Sequence, residues 1–550
     1  MRCSTRVACV AILVVSFARA VPAQTPSIAS TSPQAVRPGG TVDLTINGGN
    51  LAGASGLWSS FPARAVLAPG VKNNGKNARQ VVFRVTLPKD APVGVHAIRV
   101  VTANGVSNMR LIAVDDLRTV AQKAGNTTPS TAQNVKLPVG VEGVVGNLSR
   151  HYFQFDAKAG QSISFEALAR RIGSPLDPTI TLYAVTANGL SQLAYADDTL
   201  GLFGDAQLTH RIARDGRYAV EIRDITYKGS GNHRFRLRIG DFPCVTCTYP
   251  MAAKRGSETT LTFAGSSTEG VVPITVKVPT DPNRHWIAVG AKRKGGQGSG
   301  FAVLAISDAE EALEKEPNDD LKQATRTTLG ANLNGRLDKA GDFDRFVFAA
   351  KKGQRMTFRA ADRVQHSPTA LVLQLQNAKG GKVTESNMAA TSEGSVTYTF
   401  PADGDYQLRV ADMHGRGGSD FAYRVLVTPA APAFELSATT DRLNVPAGGT
   451  TSVKVVATRR GYNGVIRLTV DGLPAGLAAV PTVIGPGRNA VELTLVGTAK
   501  AKRGVAAPVR IVGTGVAGKT TVTATADIKT ALKGITGGYA YPTPLLSSAL

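Results

Sequence analysis

The chain is predicted to be all-β, built from tandem β-sandwich modules. Its 550 residues include 58 glycines and 29 prolines, and only 6% are aromatic. Short segments of period-two alternation recur between turn signals, and long amphipathic helical runs are nearly absent. Because a single hydrophobic core rarely grows beyond about 250–300 residues, a chain of this length is expected to hold several domains.

Residues 1–23 have the pattern of a secretory signal peptide. Arg2 and Arg6 precede an apolar run over residues 7–17, and small residues precede Gln24. The apolar run is too short to span a bilayer, and no later segment reaches the required length. We therefore expect a protein that is secreted, periplasmic or at the cell surface, with no transmembrane segment after signal cleavage.

Residues 24–116 are predicted to form one sandwich-like domain. Residues 41–46 alternate as a half-buried strand, and Pro38-Gly39-Gly40 precedes them as a turn. The element at residues 48–51 and the strand at residues 94–100 (Gly-Val-His-Ala-Ile-Arg-Val) resemble the IPT/TIG class of immunoglobulin-like (Ig-like) domains. Residues 117–126 follow as a short linker.

Residues 313–429 carry the most specific pattern in the chain. They open with Glu-Lys-Glu-Pro-Asn-Asp-Asp at 314–320, continue with Gly-Asp-Phe-Asp-Arg-Phe at 341–346, and close with Asp-Gly-Asp-Tyr at 403–406. These three motifs, in this order, resemble the bacterial pre-peptidase C-terminal (PPC) domain. The resemblance implies a β-sandwich, jelly-roll-like module that is appended to secreted proteases and many other exported proteins, so it predicts the fold and leaves the function open.

Residues 127–241 repeat the same pattern. Three pairs of segments correspond: 143–148 with 333–337, 151–161 with 344–354, and 215–224 with 403–412. Repetition over this length predicts two copies of one PPC-like module. The first copy lacks the Glu-Pro-Asn-Asp opening and the paired aspartates of the second.

The remaining segments complete a five-domain organisation. Residues 242–312 repeat the order of turns and strands seen in the first domain. They are predicted to be a second, shorter Ig-like domain, with a linker near 308–316. In residues 432–528 Gly-rich turns separate alternating strands, and the segment resembles the Ig-like C-terminal modules of large exported bacterial proteins. Residues 529–550 form a tail.

The acidic residues of the second PPC-like copy are the sharpest candidate site. Calcium takes six to eight oxygen ligands, and carboxylates on short loops supply them. Similarity to the collagen-binding modules of clostridial collagenases, in which an acidic linker and an Asp-x-Asp-like turn bind calcium together, implicates Glu314, Glu316, Asn318, Asp342 and Asp344. The alternative is that the acids are solvated, with Asn318 and Asp319 capping a short segment over 321–325.

Cys244 and Cys247 are the only cysteines beyond residue 23. A zinc site needs two further ligands, which the neighbouring sequence does not offer. Either a local disulfide in an oxidising compartment or two inert thiols remains. Trp58 and Trp286 are also open to two interpretations, as core residues or as exposed rings that stack on a sugar.

Charge and motifs together favour a non-catalytic protein. The net charge is +23, but the basic residues are spread along the chain, so a general basic surface is favoured over a nucleic-acid site. The sequence has no His-Glu-x-x-His, Gly-x-Ser-x-Gly or P-loop motif, and its seven histidines lie far apart. We expect a binding or scaffold protein for polysaccharide or protein partners. The alternative is an accessory protein, or a relative of secreted peptidases without a catalytic domain.

Overall fold

The computed structural model describes residues 25–386, 393–537 and 543–547. The predicted signal peptide at 1–23 lies outside them. The described chain is nearly all β and forms tandem sandwiches, which confirms the predicted fold class. No helix in these ranges has the length and apolar character needed to cross a membrane.

The first domain packs a sheet of order β1-β3-β6-β5 against one of order β2-β9-β7-β4, with β8 beside β7. The sheets enclose a core that includes Leu44, Phe83 and Ile98. Its strands are β1 (Ser27–Ser32), β2 (Ala35–Val36), β3 (Thr41–Gly49), β4 (Ala54–Ser59), β5 (Arg64–Leu67), β6 (Gln80–Thr86), β7 (Gly94–Thr102), β8 (Gly105–Val106) and β9 (Arg110–Val114).

The second domain is a sandwich of two five-stranded sheets, with orders β10-β12-β19-β14-β17 and β11-β13-β18-β15-β16. Phe153, Phe165 and Phe235 are fully buried between them. Its strands are β10 (Thr119–Ala121), β11 (Gln133–Asn134), β12 (Val139–Val144), β13 (Arg150–Ala157), β14 (Ser162–Leu168), β15 (Pro178–Thr186), β16 (Gly189–Ala196), β17 (Gln207–Arg211), β18 (Gly216–Asp224) and β19 (Arg234–Gly240).

The third domain is smaller and has two three-stranded sheets, with orders β20-β22-β23 and β21-β25-β24. Its strands are β20 (Cys247–Tyr249), β21 (Ala252–Lys254), β22 (Glu258–Ala264), β23 (Ile274–Lys277), β24 (Trp286–Ala291) and β25 (Gly300–Ser307).

The fourth domain has sheets of order β26-β28-β35-β30-β33 and β27-β29-β34-β31-β32, the same arrangement as the second domain. Phe346, Phe348, Leu408 and Val410 lie in its core, on the strands where alternation places them. Its strands are β26 (Glu311–Leu313), β27 (Thr325–Arg326), β28 (Asn332–Arg336), β29 (Phe343–Ala350), β30 (Arg355–Ala360), β31 (Leu371–Asn377), β32 (Lys382–Glu385), β33 (Ser395–Thr399), β34 (Gly404–Asp412) and β35 (Ala422–Pro429).

The fifth domain is a sandwich whose strands form one continuous path, β39-β41-β37-β36-β43-β42-β38-β40. Its strands are β36 (Ala433–Ala438), β37 (Thr450–Arg460), β38 (Ile466–Asp471), β39 (Leu477–Ala479), β40 (Thr482–Ile484), β41 (Ala490–Gly497), β42 (Arg510–Ala517) and β43 (Thr520–Asp527).

The tail adds a helix, α1 (Lys529–Ile535), and a 3₁₀ turn, Pro544–Leu546. Leu532 and Leu546 are almost fully buried in a cluster that joins the fifth domain to residues of the first and second domains. Three other 3₁₀ turns are described, Pro129–Thr131, Arg170–Ile172 and Arg363–Gln365.

Both segments expected as linkers enter the sandwiches. Strand β10 pairs in parallel with β12, and β26 pairs in parallel with β28. The linker interpretation of residues 117–126 and of residues 308–316 therefore differs from the structure. Each of these strands has only three residues, too few for alternation to be visible in the sequence.

The first two domains and the next two form a duplicated pair. Arg236 is fully buried and binds Asp115 Oδ2 at 2.7 Å and Glu142 Oε1 at 2.9 Å, which ties the first domain to the second. At the matching position Arg424 binds both carboxylate oxygens of Glu311, but this contact lies within the fourth domain. The contact between domains that recurs is a backbone one: the Gln34 amide donates to Glu142 Oε2 at 2.7 Å, and the Met251 amide donates to Asn334 Oδ1 at 3.0 Å. The repeat therefore covers a smaller sandwich, a sandwich of two five-stranded sheets and a backbone contact between them.

Candidate metal centre

The predicted acidic residues converge where the third domain meets the fourth. Glu314 and Glu316 follow β26, Asp342 precedes β29, and Asp344 lies within β29. Single carboxylate oxygens of Glu314, Glu316 and Asp344 all lie within 4.8 Å of one another. Asp344 is fully buried, Asp342 is 7% exposed, and Glu316 is at the surface. The cluster thus reaches from the domain interior to solvent.

Hydrogen bonds position the two innermost carboxylates. Tyr423, on β35, donates its hydroxyl to Asp344 Oδ2 at 2.5 Å. Tyr249, from the third domain, donates its hydroxyl to Glu314 Oε1 at 2.8 Å. The Arg336 amide donates to the same oxygen at 2.7 Å. Two different domains therefore hold the pair in place.

The other oxygen of each inner carboxylate has no donor from outside the pair. Glu314 Oε2 and Asp344 Oδ1 are buried, and the only hydrogen bond open to them is one in which the two carboxyl groups share a proton. Leaving a buried charged acceptor unsatisfied costs at least about 1–3 kcal/mol, so such atoms are rare in stable structures. A cation between these oxygens would satisfy both, and the residues therefore fit a metal ion.

Asn318 and Asp342 hold the loops around this pair. Asn318 is fully buried, and its Oδ1 accepts from the Arg345 amide at 3.3 Å. Asp342 Oδ2 accepts from the Asp338 amide at 2.6 Å. The Asn318 oxygen, predicted as a ligand, is thus engaged with β29 and attaches the acidic loop to it.

No lysine or arginine among the described residues forms an ion pair with Glu314, Glu316 or Asp344, and the pKa values of these acids are raised. Burial, together with the charge of Glu314, raises the pKa of Asp344. Burial also raises the pKa of Glu314, and burial with the charge of Asp342 raises the pKa of Glu316. Arg336 turns its Nε to Asp338 Oδ1 at 2.6 Å instead of the cluster. Without a metal, the inner pair therefore retains a proton more readily than ordinary carboxyl groups do.

Gly335 leaves the space that the inner carboxylate occupies. A Cβ at this position would overlap both the Tyr423 hydroxyl and Glu314 Oε2. Only glycine therefore allows β28 to pass beside the carboxylate pair.

The first PPC-like domain uses the same positions without carboxylates. The Gln122 side chain accepts from the Val144 amide at 2.8 Å, as Glu314 accepts from the Arg336 amide. Gln122 Nε2 lies 2.7 Å from His151 Nδ1 and 3.2 Å from Asn126 Oδ1. These neutral groups contact one another through His151 Nδ1, while His151 Nε2 has no partner, and they offer no carboxylate to a cation.

The strand pairings fix the correspondence between the two copies. Ala113 pairs with Ala35 in the first copy, and Ala305 pairs with Ala252 in the second. From each of these pairs the chain continues without insertion or deletion into the loop that carries Gln122 or Glu314. Each of the four acids of the second copy has a neutral residue at the equivalent position of the first copy. Glu314 corresponds to Gln122, Glu316 to Ala124, Asp342 to Ser149 and Asp344 to His151. The carboxylates are thus specific to one copy of a shared scaffold.

The oxygen-only donor set suits a hard cation. Carboxylates of unequal depth, with a solvent-facing Glu316, match the irregular six- to eight-fold coordination of calcium better than the strict octahedron of magnesium. Sequence reasoning missed Tyr249 and Tyr423. Tyr249 belongs to another domain, and Tyr423 lies 79 positions from Asp344, so no local pattern marks either.

A second acidic cluster lies in the second domain. Oxygens of Asp177, Asp197 and Asp198 come within 4.8 Å of one another. Arg170 Nη2 binds Asp177 Oδ2 at 2.5 Å. An arginine therefore already compensates this group, and we assign no metal to it.

The cysteine pair is structural in character. Cys244 and Cys247 are fully buried free thiols, so the structure does not contain the disulfide that was one of the two sequence interpretations. Burial raises the pKa of Cys244 to about 11 and that of Cys247 to about 12. Neither thiol is therefore activated as a nucleophile.

Two serine–histidine contacts occur among the described residues. Ser60 Oγ lies 3.4 Å from His96 Nδ1, and Ser230 Oγ lies 2.9 Å from His233 Nδ1. The other ring nitrogen of His96 contacts the Pro92 carbonyl oxygen instead of a carboxylate. In the described part of the chain, neither contact has the acidic third member of a catalytic triad.

Comparisons with known proteins give structural similarity only. No protein-family model matches the chain, and no curated protein matches it. The pre-peptidase C-terminal domain of a collagenase from Bacillus anthracis is 14% identical, with a TM-score of 0.17, over 21% of this chain and 100% of that one. SGBP-B of the mixed-linkage glucan utilization locus of Bacteroides ovatus, solved with a mixed-linkage heptasaccharide, is 12% identical, with a TM-score of 0.16, over 74% of each chain. TM-scores this low do not transfer a function from one protein to another.

Proposed function

We propose that this chain is an exported, non-catalytic binding or scaffold protein whose central joint is held by calcium. Its partners are polysaccharides or proteins. The observation that carries the calcium part is the pair of orphaned buried oxygens on Glu314 and Asp344, held between Tyr249 of the third domain and Tyr423 of the fourth. The N-terminal segment at 1–23, in which two arginines precede an apolar run, supports export.

Calcium at this position would couple two domains. Glu314 lies directly after β26 and also accepts from the third domain through Tyr249. A cation that neutralises the inner pair removes the repulsion inside the joint, so the third and fourth domains would move as one body. Such a joint fixes the spacing of the loops at the ends of each sandwich, and these loops are the surfaces that β-sandwich proteins use for binding.

Calorimetric titration of Ca²⁺ into the full chain tests the site. We expect wild type to bind one ion and an Asp342→Ala/Asp344→Ala variant to bind none. Because loss of Asp344 also strands the Tyr423 hydroxyl, a Glu316→Gln variant at the surface serves as a second, mild change that should weaken binding. Asp405→Asn, an exposed carboxylate of the same domain paired with Arg326, is the matched control. If wild type binds no calcium, the site assignment is wrong.

Sedimentation with insoluble cell-wall polysaccharide tests the binding part independently. The protein should pellet with the polysaccharide, or should capture a protein partner from the same material after the polysaccharide is digested. Failure of both would contradict the binding function even if calcium binds.

A further inference from the structure

A second site lies between the first and the fifth domains, at the opposite ends of the described sequence. A cleft of about 550 Å³ opens there, within the range of ligand-binding pockets. Its walls are Trp58 and the β7–β8 turn on one side, and three loops of the fifth domain, at 441–447, 473–477 and 501–509, on the other. Neither the acidic cluster nor the cysteines belong to it.

The floor of the cleft is rigid. Arg99 is buried, and its Nη1 binds Asp441 Oδ2 at 2.9 Å. Asn444 accepts from the Val106 amide at 2.8 Å and donates to the Val106 carbonyl at 3.0 Å. A buried charge pair and a two-way amide contact therefore fix the two domains, and the cleft is formed before any ligand binds.

The charge of the cleft is strongly one-sided. Asp441 is the only acid in its lining and is shared between Arg99 and Arg442, at 2.9 and 3.7 Å. Lys502 and Arg503 are exposed at the rim and have no ion-pair partner within the described residues. A concave surface with excess positive charge concentrates anionic ligands.

One wall combines an aromatic ring with a cation. The Trp58 indole is half-buried, and the Arg99 guanidinium lies 5.7 Å from its ring centroid. Most of the remaining lining is apolar and small, including Ala103, Pro446 and Pro474. A sugar ring with an apolar C–H face and a carboxylate at its edge matches this combination of aromatic wall and cationic rim. Single-stranded nucleic acid is bound instead by successive aromatic side chains along a basic groove, and Trp58 is the one aromatic residue among the described residues of this lining.

We propose that this cleft binds a segment of an acidic polysaccharide, with sugar carboxylates at Lys502 and Arg503 and a sugar ring near Trp58. The proposal rests on the proposed binding function and names its ligand class. It does not depend on calcium, because the acidic cluster lies between other domains.

The test uses the full chain and defined oligosaccharides. Oligogalacturonate should bind, and its affinity should fall as salt rises, because the rim charges are screened. A cello-oligosaccharide of matching length should bind at least about tenfold more weakly, as expected from the loss of charged contacts. Lys502→Glu/Arg503→Glu should weaken oligogalacturonate binding by at least about tenfold, and Trp58→Ala should also weaken it.

The matched control is Lys454→Glu/Lys519→Glu, which reverses two exposed charges of the same domain outside the cleft. Equal loss of binding in this control would refute the cleft assignment, because it would indicate general attraction to the basic surface. Binding of polyglutamate as tight as that of oligogalacturonate would also overturn the proposal, since the cleft would then select charge alone. If no oligosaccharide binds while calcium titration and polysaccharide sedimentation succeed, only this inference fails.

Discussion

Replacing Glu314 by glutamine should stabilise the metal-free protein at alkaline pH and remove its response to calcium. The substitution copies Gln122, which holds the same position in the first PPC-like domain and accepts the equivalent backbone amide. It removes one of two buried carboxyl groups and keeps the shape of the side chain.

The magnitude follows from the geometry of the pair. The carboxylate oxygens of the pair lie within 4.8 Å of each other. With an effective dielectric constant of about 20, two unit charges at that distance would repel each other by about 3.5 kcal/mol, a cost that the folded pair avoids by retaining a proton. Solvent and the tyrosine hydroxyls offset part of this repulsion, so we expect the free energy of unfolding to rise by about 1–3 kcal/mol at pH 8 in EDTA.

The sign of the pH dependence is fixed by the raised pKa values. The folded metal-free protein holds protons on Asp344 and Glu314 that the unfolded chain releases. This stability is complete below the ordinary carboxyl pKa of about 4 and is lost as pH rises through the raised values. The advantage of Glu314→Gln should therefore shrink as the pH approaches 4.

Calcium should make wild type more stable than the Glu314→Gln variant, the reverse of the order expected in EDTA. At a calcium concentration of about 100 times Kd, wild type gains about 2.7 kcal/mol, and the variant gains little. Because the protein has several domains, the readout should be local: hydrogen exchange of the Arg336 amide, which donates to residue 314, measured by mass spectrometry.

Asp405→Asn is the control for this experiment, since its carboxylate is exposed and lies outside the cluster. Its exchange should match wild type with and without calcium. The reasoning is refuted if Glu314→Gln is less protected than wild type in EDTA at pH 8, or if calcium protects both proteins equally.

Three further predictions follow from buried groups. Arg236→Ala should destabilise the first joint by about 3–5 kcal/mol in local hydrogen exchange, because it leaves the largely buried Glu142 without its arginine and Asp115 with Arg238 alone, and exchange equal to that of wild type would contradict this. Gly335→Ala should abolish calcium binding in calorimetry and lower the melting temperature, because its Cβ would displace the Tyr423 hydroxyl; retained binding would show that the strand can shift. Cys244 should react with a thiol reagent only after denaturation, because burial raises its pKa to about 11, and rapid native labelling would disprove its burial.

The sequence predicted the sandwiches because alternation and turn residues are local signals. Leu408 and Val410 on β34 are examples, since their burial follows directly from period two. The three-residue strands β10 and β26 were missed, because they pair in parallel with neighbours and their alternation is too short to detect.

The residues of the acidic cluster could also be predicted from local sequence, whereas the side chains around them could not. Its carboxylates lie in two short segments that carry a recognisable motif. The tyrosine from the third domain comes from 65 positions away, and the engagement of Asn318 with β29 depends on how the two loops dock. For the cleft between the first and fifth domains, the sequence offered only Trp58 as a ring that could stack on a sugar. The cleft itself could not be predicted, because its walls meet only in the folded chain.

The contact between Arg99 and Asp441 also has a consequence for how the protein matures. The two residues are 342 positions apart, so the first domain is synthesised long before its partner exists. At ribosomal rates of about 5–20 residues per second, this interval is roughly 20–70 s. Until Asp441 is in place, the guanidinium of Arg99 lacks the carboxylate that later covers it, so a first domain that folds earlier has an unfinished face. We expect docking of the last domain and the tail to complete this face, and truncation within them to leave the opposite end of the chain exposed to proteolysis.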